Sequence, residues 1–541
     1  MSHFFRNGII TIFILLSIIE ISSIFSNKLG QFGTVIWVLA FLLILIEAGN
    51  NLVKITKQTF SRKIPFLLIV LVFFSVTVLL QTSNILNSNS ETTQEISCAL
   101  NNFSTIDFGF RRTCLFGYPD REFFFPALPS LLLGRDVFLL NIGGAIYFIS
   151  GLIIFAYGLL RFFKKSVYNN FISAILVSSI FHFYYINWFL FGYEQSIFPL
   201  SFALITTGLL LSLSHDNFYK NIGLIGISIA YLIFSYTTGL FFAFFAVGIL
   251  IYLFFSFAKI KEEKIFIISV IFSSVLFLFS SLLVRTDIHL WENYSSSVNL
   301  ISDITSGLIN LAIRGLHTNT NYVSMVFQPL FLVSLVASFL LNKRLYYLPV
   351  FAWIVSVFIL SIASKGYSYY SVDFRLHRSI VVVPILLVSL GLVIESVKIP
   401  FVKKSLLYFV ILIIVFITAV IYQNGIISSK ANGERHRHVS FILWLRNQLS
   451  KDDLLNGGEL IFDPALRNIN NYTNNYTSIQ DSLKYYMPKF SYCLDTGCTS
   501  QTGSKKYYIK TYDQDNIENS EIILGVFDFN GDKVQVIKES I

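Results

Sequence analysis

Charge is what this sequence has least of. Only 13% of its 541 residues are Asp, Glu, Lys or Arg, where a soluble chain carries about a quarter. That deficit excludes an ordinary soluble enzyme. Gly-rich phosphate cradles are missing as well. No Walker or Rossmann pattern stands between a strand and a helix, so nothing points to a nucleotide site. Nor does a chain of acids or histidines run through the apolar segments. Glu20 and Glu47 are the clear exceptions. Both stand near the ends of apolar runs, where a side chain can snorkel to water. This absence argues against a proton-coupled pump.

What is present is hydrophobic: 54% of residues, 16% aromatic, with a mean hydropathy of +0.66. The apolar residues come in runs near 20 long, each enough to cross roughly 30 Å of hydrocarbon. Lipid satisfies no open backbone group, so helices are the spanning element. The expected class is an all-α polytopic membrane protein. Thirteen spans are predicted at 8–25, 33–53, 64–81, 137–160, 171–190, 196–214, 222–237, 239–257, 265–284, 322–341, 345–363, 379–395 and 405–422. The first is too long for a cleaved signal peptide and reads as a retained span. The stretch 222–257 is split at Tyr236, Thr237, Thr238 and Gly239, a plausible turn.

The net charge of +9 would suggest nucleic acid in a soluble protein. Here the excess suits cytoplasmic anchors and lipid head groups, and no nucleic-acid partner is expected. Lys and Arg crowd alternate loops, which orients the chain with its N-terminus in the cytoplasm. Loops 82–136, 285–321 and 364–378 then face outward, as does the tail from 426. The four cysteines, Cys98, Cys114, Cys493 and Cys498, all fall on that outer side, as expected of disulfides in an oxidising compartment. Four N-x-S/T sequons, at Asn102, Asn293, Asn471 and Asn475, fall there too. The tail, 426–541, is expected to be a small extracytoplasmic α/β domain. "HVSFILWLRNQL" has helical apolar spacing. "ELIFD", "KKYYIKTY", "EIILGVFDF" and "DKVQVI" read as strands, the last two joined by Asn530-Gly531. The stretch 464–504 reads as loop.

The polar chemistry gathers on the predicted outer face. The first outer loop carries Asp107, Arg111 and Arg112. The loop after 190 carries Glu194. The segment before 379 carries Asp373, Arg375, His377 and Arg378. A carboxylate with arginines at one membrane face suits a reaction on a phospholipid-linked substrate. The acid accepts a proton from an attacking hydroxyl. Guanidinium groups hold a phosphate that gains charge as it leaves.

In layout, residues 64–450 resemble the GT-C superfamily, membrane glycosyltransferases that use polyprenyl-phosphate sugars and include protein O-mannosyltransferases and aminoarabinose transferases. The likeness rests on Asp107 ahead of "FGYP" (116–119) and on the proline-broken "FFFPALPSLLLG" (123–134). It rests also on "YEQSIFPLSFALITTGLLL" from Tyr193, "FRLHRSIVVVPILLVSLGL" from Phe374, and "WLRNQL" opening the tail. Three spans precede the acidic loop where the family usually has one, so 1–63 reads as an N-terminal addition to a transmembrane catalytic domain, 64–425. The acid is single rather than a paired "DE", and no "WWD" motif is present, which disfavours an oligosaccharyltransferase.

The resemblance implies an enzyme of the plasma membrane. Its donor would be a polyprenyl-phosphate sugar and its acceptor a hydroxyl on a glycan, lipid or protein. Asp107 would be the general base of an inverting transfer. Arg375 and Arg378, then Arg111 and Arg112, would hold the departing phosphate. Glu194 would position the acceptor or a divalent cation; no other cofactor is implied. The competing readings are a flippase for lipid-linked glycans and a polysaccharide polymerase or ligase.

Overall fold

The computed structural model describes residues 3–25, 30–60, 65–84, 137–182, 197–234, 237–284, 381, 383–396, 400–431, 436–463, 487, 489–493, 505–512, 521–529 and 532–539. The chain is mostly helical, with a small sheet near its C-terminus. The helices are α1 (His3–Phe25), α2 (Gly30–Phe60), α3 (Phe66–Asn84), α4 (Val137–Phe162), α5 (Asn169–Ile180) and α6 (Ile197–Leu211). After the 3₁₀ turn His215–Asn217 come α7 (Phe218–Phe234), α8 (Thr237–Ser256), α9 (Lys261–Val284), α10 (Val383–Ser396) and α11 (Phe401–Ala431). They occupy eleven of the expected span ranges. The expected spans 322–341 and 345–363 lie outside the described residues. Among the described residues three segments are long and apolar enough to cross a membrane: Val35–Gln58, Gly143–Phe162 and Lys403–Ile421.

Several helices are apolar on both sides. On α9, Ile265, Ile268, Phe272, Val275 and Phe279 are exposed at helical spacing, while Ile267, Val270 and Phe277 are buried. On α11, Leu406, Phe409, Val410, Ile413, Ile417 and Ile421 are exposed. Water would make such stripes costly, whereas hydrocarbon does not. The buried face instead collects small polar groups. Thr206 and Ser228 share a hydrogen bond of 2.7 Å between α6 and α7. The membrane character expected from composition is therefore visible in the packing. Position also varies: 22% of the α11 segment is buried against 83% of the α4 segment, so α4 is central and α11 peripheral.

Side-chain contacts fix the helix directions. Glu47 meets Lys220 and Trp37 meets Tyr231, so α2 and α7 are antiparallel. Phe41 meets Tyr147 and Lys54 meets Tyr157, so α2 and α4 run the same way. Phe66 meets Phe171 and Phe74 meets Phe181, which makes α3 and α5 parallel. Tyr168 meets Tyr408 and His182 meets Thr418, which makes α5 and α11 parallel. Gly223 packs on Ile9 and Gly226 on Phe13, which aligns α1 with α7. Tyr219 packs on Phe266 at the start of α9. Lys264 lies over Phe254 near the end of α8. The Tyr408 hydroxyl donates to the carbonyl of Ile394 at the end of α10. The helices therefore alternate. One end of the bundle, called the near end here, holds the starts of α1, α3, α5, α7, α9 and α11. The far end holds the starts of α2, α4, α6, α8 and α10. All described lysines and arginines of the bundle except Lys430 belong to the near end.

The α4–α6 pair is backbone-tight at two points. A Cβ added at Gly158 would stand 2.5 Å from the Gly208 carbonyl oxygen, and one at Gly208 would stand 2.5 Å from that of Ile154. At Gly151 it would meet Ser201 O at 2.8 Å. Gly151 and Gly158, seven apart, thus face Ser201 and Gly208, also seven apart. This small-residue seam locks α4 to α6, as in other lipid-embedded helix pairs.

The tail begins with α12 (His436–Gln448) and α13 (Lys451–Asn456). The strands are β1 (Gly458–Phe462), β2 (Phe490–Cys493), β3 (Lys506–Thr511), β4 (Glu521–Phe529) and β5 (Asp532–Glu539), ordered β2-β1-β3-β5-β4. β2, β1 and β3 are parallel; β5 runs against both β3 and β4. Four of these strands match expectation. β2 does not: it lies within 464–504, expected to be loop, and it forms because β1 offers it an edge in register Leu460 to Tyr492. Ser450 caps α13 by accepting from the Asp453 amide at 3.1 Å. Gly457 ends it at φ +79, where an added Cβ would collide with the Lys489 carbonyl oxygen. Only glycine fits there.

Candidate functional site

Asp107, Arg111, Arg112, Glu194, Arg375, Arg378, Cys98, Cys114 and Cys498 lie outside the described residues. Cys493 closes β2, is buried and is disulfide-bonded. The helices do fix where the segments carrying these residues attach. Asn84 and Val137 flank 85–136, Ile180 and Ile197 bracket the Glu194 segment, and Val284 and Val383 bracket the segment with Arg375 and Arg378. By the directions established above, all six open toward the far end, although α5 and α6 stop short of it: Phe181 stacks on Phe74 in the middle of α3, and Phe198 packs on Tyr147 inside α4. The tail follows Ala431, at the same end. Every stretch that sequence reasoning singled out for chemistry is thus tethered to one end of the bundle, opposite the lysines and arginines.

The near end holds a different polar cluster. Glu47 of α2 and Lys220 of α7 form an ion pair of 2.5 Å, with side chains 2% and 7% exposed. Glu47 was expected to snorkel. It is instead shut inside and paired, because α7 presents a lysine one turn from its start. Asn221 beside it donates to the Leu209 carbonyl and to Ser212 Oγ, both at 3.1 Å, tying α7 to the end of α6. Three buried acceptors have no hydrogen-bond partner: Glu47 Oε2, Asn51 Oδ1 and Asn221 Oδ1. Lys54, one turn beyond Asn51, places its ammonium 5.0 Å from the centre of the Tyr157 ring. Arg161, one turn beyond Tyr157, is within electrostatic reach of Lys54. Glu47, Asn51 and Lys54 share one helix face by their spacing. That polar series inside "EAGNNLVK" was the available signal in the sequence.

No family model matches this chain, and no curated protein matches it.

The chain's own residues therefore carry the functional reading. An apolar cavity of about 60 Å³, lined by residues including Phe162, Thr207, Phe245 and Ile385, is too small for a sugar phosphate. Among the described residues no group of three or more His, Cys, Asp or Glu side chains could hold a metal. In the tail, Asp453 is buried and bonded by Lys505 at 2.6 Å, Lys538 at 2.9 Å and Ser450 at 2.8 Å. Burial pushes its pKa up, but these donors outweigh that and hold the carboxyl well below the usual carboxylate range. Burial and the neighbouring Asp453 charge push the Tyr507 phenol well above its ordinary value. Both lysines of this cluster are engaged by the carboxylate, so it ties α13 to β3 and β5.

Proposed function

We propose that this chain is an integral-membrane glycosyltransferase of GT-C type, moving a sugar from a polyprenyl-phosphate donor to an acceptor hydroxyl on the extracytoplasmic side. The observation that carries this reading is the shared attachment of the 85–136, 183–196 and 285–380 segments to the far end. The near end, rich in Lys and Arg, is then cytoplasmic. Glu194 is three residues from the start of α6 and Arg378 five from that of α10, so the chain keeps them within roughly 10 and 18 Å of those helix ends.

The chemistry follows from the residue types. The Asp107 carboxylate takes the proton of the acceptor hydroxyl as that oxygen bonds to the anomeric carbon. The bond from that carbon to the phosphate oxygen breaks, and the polyprenyl phosphate leaves with the electron pair. Arg375 and Arg378, with Arg111 and Arg112, stabilise the charge gained by the phosphate. Glu194 orients the acceptor or holds a divalent cation. A flippase would need a polar path between the two ends. Glu47, near the middle of α2, is closed off by Lys220, and no other Asp, Glu, Lys or Arg stands in the middle of the described bundle helices, which favours transfer over transport.

Reconstituted protein given a polyprenyl-phosphate sugar should transfer the sugar and release polyprenyl phosphate. Asp107→Asn should lower the rate about 10²–10⁴-fold while the variant accumulates normally in the membrane. Unchanged turnover in that variant removes the proposed base. Lipid translocation without turnover by the wild type would establish the flippase instead.

A further inference from the structure

We propose that the near end carries a binding site for the phosphate of an anionic membrane lipid, formed where Lys54 of α2 meets Tyr157 and Arg161 of α4 above the buried Glu47–Lys220 pair. This inference does not rest on the transferase reading, only on the bundle's being in a bilayer.

The first argument is charge. Lys54 lies within electrostatic reach of two other cations, Arg161 and Lys220, and of a single carboxylate, Glu47. Lys220 already takes Glu47 at 2.5 Å. Lys54 is half-buried against Tyr157, which is itself 8% exposed. The other charges at this corner, Lys57, Lys164 and Lys165, have the same sign. Partly desolvated cations without a counterion are costly, and among the described residues of this corner Glu47 is the one carboxylate, so an anion from outside the chain suits the site.

The second argument is depth. Val35, Leu39, Leu42, Ile46 and Val53 form an exposed apolar stripe along α2. Its 18-residue rise spans about 27 Å, close to a bilayer's hydrocarbon thickness. It ends at Lys54 and Lys57. Four residues before Val53, a Cβ added at Gly49 would find nothing within 4 Å, so the stripe is open there. An acyl chain along this stripe brings its head group to Lys54.

The third argument is chemistry. A compact ammonium and a forked guanidinium together suit phosphate oxygens. Basic pockets between helices on the cytoplasmic side are known to hold anionic head groups. A zwitterionic lipid carries its own cation and leaves the excess charge in place. The occupant is therefore a phosphodiester lipid with an uncharged head group, such as phosphatidylglycerol.

The test is equilibrium binding of fluorescent-tailed phosphatidylglycerol and phosphatidylcholine to the purified full chain in neutral detergent. Wild type should prefer phosphatidylglycerol by about tenfold or more, from about fivefold per cation. Lys54→Gln and Arg161→Gln should each weaken that lipid about fivefold and leave phosphatidylcholine unchanged. Lys54→Arg should retain the preference, and Lys259→Gln, elsewhere at the near end, should not alter it. Equal affinity of the wild type for the two lipids overturns the proposal whether or not the variants fold. So does full binding by Lys54→Gln/Arg161→Gln. Displacement of the lipid by millimolar inorganic phosphate would overturn the lipid assignment in favour of a soluble anion.

Discussion

Glu47 and Lys220 make a contact that is expensive to break singly. Removing one partner leaves the other charged and buried, a loss of about 3–5 kcal/mol. Glu47→Gln should therefore lower the thermal stability of the detergent-solubilised chain sharply. Lys220→Met in the same chain should restore much of it, because a neutral pair leaves no buried charge. A double variant no more stable than Glu47→Gln alone would show that the pair's geometry matters beyond charge. At this scale the sequence was half legible. It revealed an acid in an apolar helix, but the partner stands 173 residues away, and no local pattern announces it. Asp453 is similar: its acceptor role at a capped helix start could be read locally, whereas Lys505 and Lys538 arrive only with the sheet. Its depressed pKa stabilises the fold fully above the ordinary carboxylate value, and that contribution fades as pH falls through the lower folded value. Asp453→Asn should thus cost about 1–3 kcal/mol near neutrality. It should also flatten the loss of tail stability that wild type shows below about pH 4, as followed by hydrogen exchange of β3 and β5.

Elements were more legible than contacts, because apolar runs of helical length specify spans without reference to neighbours. The expected split of 222–257 into two helices is present, but α7 ends at Phe234 and α8 begins at Thr237, so Thr237, Thr238 and Gly239 open α8 rather than form the turn. β2 escaped because four residues, Phe490–Cys493, carry too little alternation to mark a strand; parallel pairing with β1 creates it. The α4–α6 seam was also hidden, since Gly151, Gly158, Ser201 and Gly208 gain meaning only when the helices face each other. There the backbone itself is the neighbour and cannot yield. Gly208→Val should destabilise the bundle by at least about 1–3 kcal/mol, the range for overpacking. Gly49→Ala, on an open helix face, should be neutral or stabilising by up to about 1 kcal/mol. Thermal scans of the two variants check this, and equal midpoints would contradict the seam.

For the whole molecule, alternation was expected from charge and is independently supported by contacts. Parallel pairs α2/α4, α3/α5 and α5/α11 and the antiparallel pair α2/α7 each agree with one crossing per helix. Absolute sidedness rests on the proposal, in which the positive-inside tendency assigns the near end to the cytoplasm. On the proposed reading the membrane separates two surfaces with different tasks, a basic face that anchors the bundle and a far end that receives the acid- and arginine-bearing segments. That division has a direct consequence for reagent access. With the four native cysteines replaced by serine, a cysteine at Lys164, beside the end of α4, should react with a membrane-impermeant maleimide only after the membrane is opened. A cysteine at Lys430, near the end of α11, should react in intact cells. The reverse pattern would put Asp107, Glu194 and Arg378 on the cytoplasmic side, where nucleotide sugars are available and a lipid-borne donor is no longer required. Labelling of both positions from outside would mean that α4 and α11 do not cross in the directions their contacts give, and the shared attachment of the three chemical segments would fall with it.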